Sequence, residues 1–269
     1  MHAPANPRLA GMSSPLLEPC TVVMLHGTGN SGAMWRRVSD ALPIGCVAVT
    51  PDLIGYGSGA AWPAGAAAFS MVDEVRAVIP ALPANCHHFH LLGYSYGGAV
   101  ALAWALAEPR RVLSLTLIEP VFPLALAYRD EHAAYAEVGR LRDAFVALTR
   151  SRRRDEALRL FVDFWTGDGA WDGMSEAARA TMLGYADKIV LDWTAAFAND
   201  PGAERLAALA MPVALLCGDR SPEPMRRLVE ALSMLLPGSM RTVVPGANHM
   251  LPFTHAAAVI EVMKLQVDV

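Results

Sequence analysis

The sequence has few charged residues and no long hydrophobic run, and each shortage excludes a class of protein. Only 18% of the 269 residues are Asp, Glu, Lys or Arg, while 54% are hydrophobic, which is not the composition of a disordered chain. The net charge of -4 offers no basic surface for nucleic acid. The longest apolar stretches, residues 97–107 and 206–217, are shorter than the roughly 18 residues of a membrane-spanning helix. We therefore expect neither nucleic acid nor a membrane as a partner.

Cysteine is also scarce, and its spacing offers no metal site. The four cysteines lie far apart, and no C-x-x-C pair occurs, so buried free thiols are the expected state. A phosphate-binding loop of the G-x-x-x-x-G-K-[ST] type is absent as well. Residues 1–20 contain four prolines and no continuous apolar stretch, so they do not read as a signal peptide. We expect a cytoplasmic protein in which residues 1–20 form a poorly ordered N-terminal arm.

Short apolar runs, each followed by a Gly-rich turn and a helical pattern, recur along the chain. Continuous rather than alternating apolar runs indicate strands that are buried on both faces, and their alternation with helices indicates a parallel sheet. The sequence therefore predicts an α/β fold with a mostly parallel sheet of about six strands flanked by helices. The predicted strands are residues 20–25, 46–50, 88–92, 112–118, 213–217 and 240–244.

A long helical stretch interrupts this alternation. Residues 121–201 carry no strand signal, which divides the chain into a core of residues 21–120 and 202–269 and a helical cap or lid inserted between them. Because ligands of open α/β sheets bind beyond the carboxyl ends of the strands, an insertion after Glu119 is placed to cover the site. Trp165 and Trp171 of this segment are candidate residues of an apolar substrate pocket, although packing within the cap would explain them equally well.

The sequence Gly-Tyr-Ser-Tyr-Gly at residues 93–97 carries the strongest chemical signal. It fits G-x-S-x-G directly after a predicted strand and directly before a predicted helix. Such a turn projects a serine hydroxyl out of the sheet, and small residues two positions to either side relieve the crowding. The sequence therefore predicts Ser95 as a nucleophile.

Four motifs in order resemble those of the α/β-hydrolase superfamily, over nearly the whole chain from Thr21 onward. The resemblance implies the α/β-hydrolase fold, a Ser–acid–His mechanism without a cofactor or metal, and His249 as the general base. It also implies that the backbone N–H groups of Thr28 and Tyr96 form the oxyanion hole. The motifs are His-Gly-Thr-Gly at residues 26–29, Pro-Asp-Leu-Ile-Gly-Tyr-Gly at 51–57, the nucleophile sequence at 93–97 and Gly-Ala-Asn-His at 246–249.

The acid of the predicted triad departs from the commonest family pattern. Members often carry it three residues beyond the glycine that ends a late strand, and here that position is Ser221, with Asp219 two residues too early. Another position used in the family is the end of the preceding strand, where this chain has Glu119. A carboxylate at the end of a buried apolar strand needs a partner, which favours Glu119; Asp219 remains the alternative acid.

These features favour a serine hydrolase that cleaves a carboxylic ester, or a related acyl bond, of a small and largely apolar substrate through an acyl-enzyme on Ser95. An acyltransferase or perhydrolase would use the same three residues. A non-catalytic protein of the same fold, binding a ligand or a regulatory partner, is the alternative from a different class. The oligomeric state does not follow from the sequence.

Overall fold

The computed structural model describes residues 20–62 and 69–267, in which six strands form one parallel sheet. Their order across the sheet is β2-β1-β3-β4-β5-β6, so the predicted α/β-hydrolase architecture is confirmed. The predicted strand ends agree with the observed ones to within two residues. The strands are β1 (Cys20–Leu25), β2 (Cys46–Val49), β3 (Phe89–Tyr94), β4 (Val112–Ile118), β5 (Val213–Gly218) and β6 (Met240–Val244).

Continuous apolar strands are buried on both faces because helices cover both sides of the sheet. Along β1, Val23 and Leu25 belong to the core on one face, while Val22 and Met24 belong to the core on the other. Successive side chains of a strand point to opposite faces, so an apolar residue is needed at every position. This is the physical reason why the sequence shows runs rather than alternation.

The described residues also form thirteen α-helices and two short 3₁₀ helices, one before α1 and one after α2. Helix α3 is apolar around its whole circumference because it is enclosed in the core. The helices of the first half are α1 (Arg36–Ser39), α2 (Met71–Val78), α3 (Tyr96–Ala107), α4 (Leu124–Tyr128), α5 (His132–Arg150) and α6 (Arg154–Thr166). Those of the second half are α7 (Ala170–Gly173), α8 (Glu176–Gly184), α9 (Ala186–Ala198), α10 (Ala203–Ala207), α11 (Glu223–Leu235), α12 (Leu251–Thr254) and α13 (Ala256–Val267).

The strand-free stretch of residues 121–201 contains α4 to α9. Helix α5 packs against α6 and α9, and α9 also contacts α3 of the sheet region. Of the predicted N-terminal arm at residues 1–20, all but Cys20 lies outside the described residues. Among the residues described, no helix is long and apolar enough to cross a membrane.

The four cysteines form no disulfide with one another. Cys86 and Cys217 are buried, whereas Cys20 and Cys46 are half-buried. The prediction of buried free thiols is therefore correct for Cys86 and Cys217 and wrong in burial for Cys20 and Cys46.

The strand order creates a crevice at the carboxyl edge of the sheet. From β1 the chain passes to β2 on one side and then returns to β3 on the other side of β1. The loops that follow β1 and β3 therefore diverge, which is where ligands bind in open α/β sheets. The predicted site residues Thr28 and Ser95 belong to these two loops.

Candidate active site

Ser95 forms a sharp turn between the end of β3 and the start of α3. Its φ of 53° and ψ of -120° are unusual for a residue with a side chain and cost about 1–3 kcal/mol. Glycine is required on both sides, because a Cβ at Gly97 would overlap the carbonyl oxygen of His26 and one at Gly93 would overlap that of Gly97. The turn that the Gly-Tyr-Ser-Tyr-Gly sequence predicts is therefore present.

Glu119 lies one residue beyond β4, between the neighbouring strands β3 and β5. Its backbone N–H donates to the Leu216 carbonyl at 3.0 Å, and its φ of 44° turns the chain out of the sheet. Two residues later, the N–H of Val121 donates to the Ser95 carbonyl at 3.0 Å. The chain thus passes beside the Ser95 turn and leaves the Glu119 side chain fully buried.

The Glu119 carboxylate joins the ends of three elements. Its Oε1 accepts hydrogen bonds from the Gly218 N–H, at 2.7 Å, and from the Ser221 hydroxyl. Its Oε2 lies 2.7 Å from Nδ1 of His249. Because a carboxylate only accepts, Nδ1 carries the hydrogen, and Nε2 of His249 is left to accept from the Ser95 hydroxyl at 3.0 Å. A continuous chain of hydrogen bonds therefore links Ser95, His249 and Glu119.

The pKa of Glu119 lies below its ordinary value although the side chain is buried. Burial is the largest single influence and by itself would raise this pKa. The hydrogen bond and charge of His249 act against burial, together with hydrogen bonds from Gly218 and Ser221, and outweigh it. Glu119 is thus held as an anion, which fixes the orientation of the imidazole and stabilises its protonated form.

Asp219, the alternative acid, does not take part in this chain. Its side chain is at the surface, where Oδ1 accepts the Gly246 N–H at 2.7 Å. Ser221 stands where family members often carry the carboxylate, and it donates its hydroxyl to Glu119 instead. The geometry therefore favours Glu119 over Asp219 as the acid. Sequence reasoning did not foresee that Ser221 hydrogen-bonds to Glu119, although a serine at the position where the family often has the acid pointed to it.

The loop after β1 is fixed by the neutral side chain of His26. Nε2 of His26 accepts the Leu53 N–H at 2.9 Å, so Nδ1 carries the hydrogen and donates to the Gly27 carbonyl at 2.8 Å. The pKa of His26 lies below its ordinary value, because burial, together with the charge of Lys188, outweighs the hydrogen bond to Gly27 and the nearby carboxylates. His26 thereby ties the loop after β1 to the loop after β2 and leaves Thr28 in the same cavity walls as Ser95.

A buried ionic network beside Thr28 was not foreseen from the sequence. Nζ of Lys188 donates to Glu74 Oε1 at 2.9 Å and to Asp192. Asp192 Oδ2 also accepts the hydroxyl groups of Thr28, at 3.0 Å, and of Tyr56. None of the three charged residues is more than 8% exposed. The network joins α9 to α2 and to the loop after β1, and its one sequence signal is a Lys–Asp pair four residues apart in the largely apolar segment of α9.

Aromatic rings enclose the cation of this network. Nζ of Lys188 lies 4.7 Å from the ring centre of Tyr56, 4.8 Å from that of Phe69 and 4.9 Å from that of Tyr96. Burial raises the pKa of Glu74, while the positive charge of Lys188 acts in the opposite direction. Among the residues that the structure describes, Lys188 is the one cation paired with both Glu74 and Asp192, and it compensates their charge.

We expect the substitution Lys188→Met to lower the free energy of unfolding by about 3–5 kcal/mol, because it leaves Glu74 and Asp192 buried without a counter-ion. Urea denaturation of wild type and variant measures the change. Lys264→Met on the exposed side of α13 is the matched control, with an expected change within about 0.5 kcal/mol. Equal losses from the two substitutions would contradict the assignment of Lys188 as the partner of both carboxylates.

Two cavities meet at Ser95. The larger has a volume of about 500 Å³ and is lined by Ser95, His249 and residues of α6 and α8. The smaller, of about 20 Å³, is lined by Ser95, Tyr96 and residues of α9. Thr28 and Trp165 contribute to the walls of both. A substrate carbonyl at Ser95 would therefore have a cavity on each of two sides, and the volumes of these cavities differ greatly.

The structure places only one of the two candidate pocket tryptophans at these cavities. Trp165 lies with its ring centre 5.0 Å from that of His249. Trp171 lines neither cavity; it is buried, and its indole N–H donates to Asp155 at 3.2 Å while its backbone N–H donates to Asp163. Within residues 20–62 and 69–267, no cluster of His, Cys, Asp or Glu side chains has the arrangement to hold a metal ion.

Comparison with known proteins places the chain in a family. The sequence profile described as alpha/beta hydrolase family matches residues 22–262. The chain therefore belongs to the alpha/beta hydrolase family. Among solved structures, an alpha/beta hydrolase enzyme from a Medee basin deep-sea metagenome library superposes with a TM-score of 0.75 and 13% identity, covering 94% of this chain and 90% of that one. At this identity the superposition shows the fold alone.

Curated relatives match over shorter regions. A pimeloyl-[acyl-carrier protein] methyl ester esterase of Aeromonas hydrophila is 37% identical over 97 residues, which cover 36% of each chain. Lipase LipV of Mycobacterium tuberculosis is 34% identical over 108 residues, which cover 39% of each chain. The chain therefore matches little more than a third of the length of these relatives.

Proposed function

We propose that this protein is a serine hydrolase that cleaves a carboxylic ester, or a related acyl bond, of a small and largely apolar substrate. The observation that carries the proposal is the hydrogen-bonded chain from Ser95 Oγ to His249 Nε2, at 3.0 Å, and from His249 Nδ1 to Glu119 Oε2, at 2.7 Å. Membership of the alpha/beta hydrolase family and the esterase and lipase names of its relatives support the same conclusion.

In the proposed mechanism, Ser95 Oγ attacks the substrate carbonyl while Nε2 of His249 takes the serine proton. The ring then carries a positive charge, which the Glu119 carboxylate stabilises from the opposite side. His249 passes the proton to the leaving alcohol, and the acyl group remains bound to Ser95. Water attacks this acyl-enzyme with His249 again as the base, and the carboxylic acid is released.

The oxyanion that forms at each attack requires two preorganised donors. We assign this role to the backbone N–H groups of Thr28 and Tyr96. Both residues line the cavity walls at Ser95, and Tyr96 is the first residue of α3, where N–H groups have no partner within the helix. The Thr28 side chain is fixed by its hydrogen bond to Asp192, so the loop that carries its N–H is held in place.

Helices of residues 121–201 have the role of a lid in this proposal. Phe161 and Trp165 of α6 and Met182 of α8 contribute apolar walls to the large cavity. Such walls exclude water from the reacting groups and accommodate an apolar substrate. This division leaves residues 21–120 and 202–269 as the core that holds the three catalytic groups.

Acyl transfer to an alcohol is the second candidate activity, because the same groups would act on an alcohol in place of water. The test is the reaction of an activated acetate ester with and without methanol as an acceptor. A hydrolase releases one acetate for each ester consumed, and methyl acetate stays a minor product. Methyl acetate as the main product at low methanol would identify an acyltransferase. Absence of any ester turnover by the folded protein would support a non-catalytic, ligand-binding member.

A further inference from the structure

The two cavities at Ser95 differ in the groups that line them as well as in size. His249 contributes to the large cavity and not to the small one. Tyr96 and Val121 contribute to the small cavity and not to the large one. The site is therefore divided into a side next to the imidazole and a side next to the start of α3.

This division assigns the two halves of an ester to the two cavities. His249 must deliver a proton to the leaving oxygen, so that oxygen and the alcohol attached to it have to lie on the side of the imidazole. The carbonyl oxygen points to the N–H groups of Thr28 and Tyr96. The acyl substituent is then directed away from His249, toward the small cavity beside Tyr96.

Buried residues of α9 form one wall of the small cavity. Ile189, Trp193 and Ala196 of α9 line it, and all three are at most 3% exposed. Asp192, from the same helix, also lines it, with its carboxylate bound by Lys188, Thr28 and Tyr56. Its volume of about 20 Å³, against about 500 Å³ for the large cavity, leaves room for a short acyl substituent only.

The large cavity provides the opposite conditions. Its volume of about 500 Å³ is sufficient for an alcohol of many carbon atoms. Val162, Met174 and Met182 contribute apolar walls, and methionine side chains adapt to irregular ligands. Space for a bulky apolar group therefore lies on the side where the leaving alcohol is released.

We propose that the substrate is an ester of a short acyl group, of acetyl or propionyl size, with a large apolar alcohol. This inference rests on the proposed function, since it presumes that Ser95 attacks an ester carbonyl. In this proposal Ile189 and Trp193 limit the length of the acyl group. Esters of long acyl groups with small alcohols are therefore poor substrates.

A pair of isomeric esters tests the proposal without a change of size or hydrophobicity. Heptyl acetate carries the long chain on the alcohol, and methyl octanoate carries it on the acyl group. We expect kcat/KM for heptyl acetate to exceed that for methyl octanoate by at least about 100-fold, because each methylene that does not fit costs about 10-fold or more. Equal values, or a preference for methyl octanoate, would overturn the assignment while ester hydrolysis itself stands. Turnover of neither ester, nor of the activated acetate ester, would overturn the proposed function.

Variants of the cavity walls complete the test. Ile189→Ala enlarges the small cavity, and we expect it to raise the ratio of methyl octanoate to heptyl acetate turnover by about 10-fold. Leu265→Ala, on the exposed side of α13 and in the walls of neither cavity, is the matched control and leaves this ratio unchanged. Trp193→Phe serves if Ile189→Ala does not fold, because the Trp193 indole N–H has no hydrogen-bond partner among the described residues and its loss breaks none. An unchanged ratio in folded variants of the small cavity would contradict the proposal.

Discussion

Replacement of Ser95 with alanine is expected to lower kcat for ester hydrolysis about 10⁶-fold. The substitution removes the nucleophile and leaves His249 and Glu119 without a group to activate. Folding is expected to be preserved, since alanine removes only the Oγ that lies 3.0 Å from His249 Nε2. Steady-state hydrolysis of a chromogenic acetate measures the loss, and thermal unfolding confirms that the variant is folded.

Retention of more than about 1% of the activity by this variant would show that another group attacks the ester. Thr28, the other hydroxyl residue in both cavity walls, would then be the first to examine. Its hydroxyl donates to Asp192, a carboxylate that Lys188 and Tyr56 also bind and that is therefore a weak base, so we do not expect this outcome.

Replacement of Glu119 with glutamine is expected to lower kcat about 10⁴-fold. An amide NH₂ in place of Oε2 would face Nδ1 of His249 donor to donor, so the ring would adopt the wrong tautomer or orientation. The anion that stabilises the protonated ring is lost as well. The change is close to isosteric, which makes the expected effect one of charge and hydrogen bonding rather than of volume.

Asp219→Asn is the matched control for this substitution. Asp219 is exposed, and its Oδ1 accepts only the Gly246 N–H among the hydrogen bonds of the described residues, which the amide oxygen of asparagine also accepts. We expect its kcat to remain within about 2-fold of wild type. A large loss in Asp219→Asn together with wild-type activity in Glu119→Gln would reverse the assignment of the acid.

The central part of the site could be predicted because local sequence determines it. The turn at Ser95 needs its two glycines within a span of five residues, and a strand and a helix on either side show where it lies. His249 could be predicted in the same way, because it ends the short Gly-Ala-Asn-His turn that follows β6. Such short-range requirements can be recognised in a sequence without knowledge of what packs against them.

The choice of acid depended on distances across the sheet that the sequence does not contain. Glu119 reaches His249 because β4 lies between β3 and β5, so its carboxylate meets the Gly218 N–H at the end of β5. The sequence indicated only that a carboxylate at the end of a buried strand needs a partner. Ser221 completes the arrangement by occupying the place where a carboxylate would otherwise be.

The ionic network was beyond sequence reasoning for a different reason. Glu74 and Lys188 lie 114 residues apart, and their contact exists only because α9 folds back onto α2 and the loop after β1.

The sequence also could not show which of the two candidate tryptophans, Trp165 or Trp171, reaches the site. Trp165 lies at the site, while Gly167 and Gly169, both with positive φ, redirect the chain before Trp171.

The most direct test of a nucleophilic Ser95 is the intact mass of the protein after incubation with a fluorophosphonate, for wild type and Ser95→Ala side by side. A fluorophosphonate phosphonylates a serine whose proton a base takes, with fluoride as the leaving group, so it reports the assembled group of Ser95, His249 and Glu119. We expect one phosphonyl adduct on wild type and none on the variant. An unmodified wild-type protein, or an adduct that persists in Ser95→Ala, would contradict the assignment of Ser95 as the nucleophile.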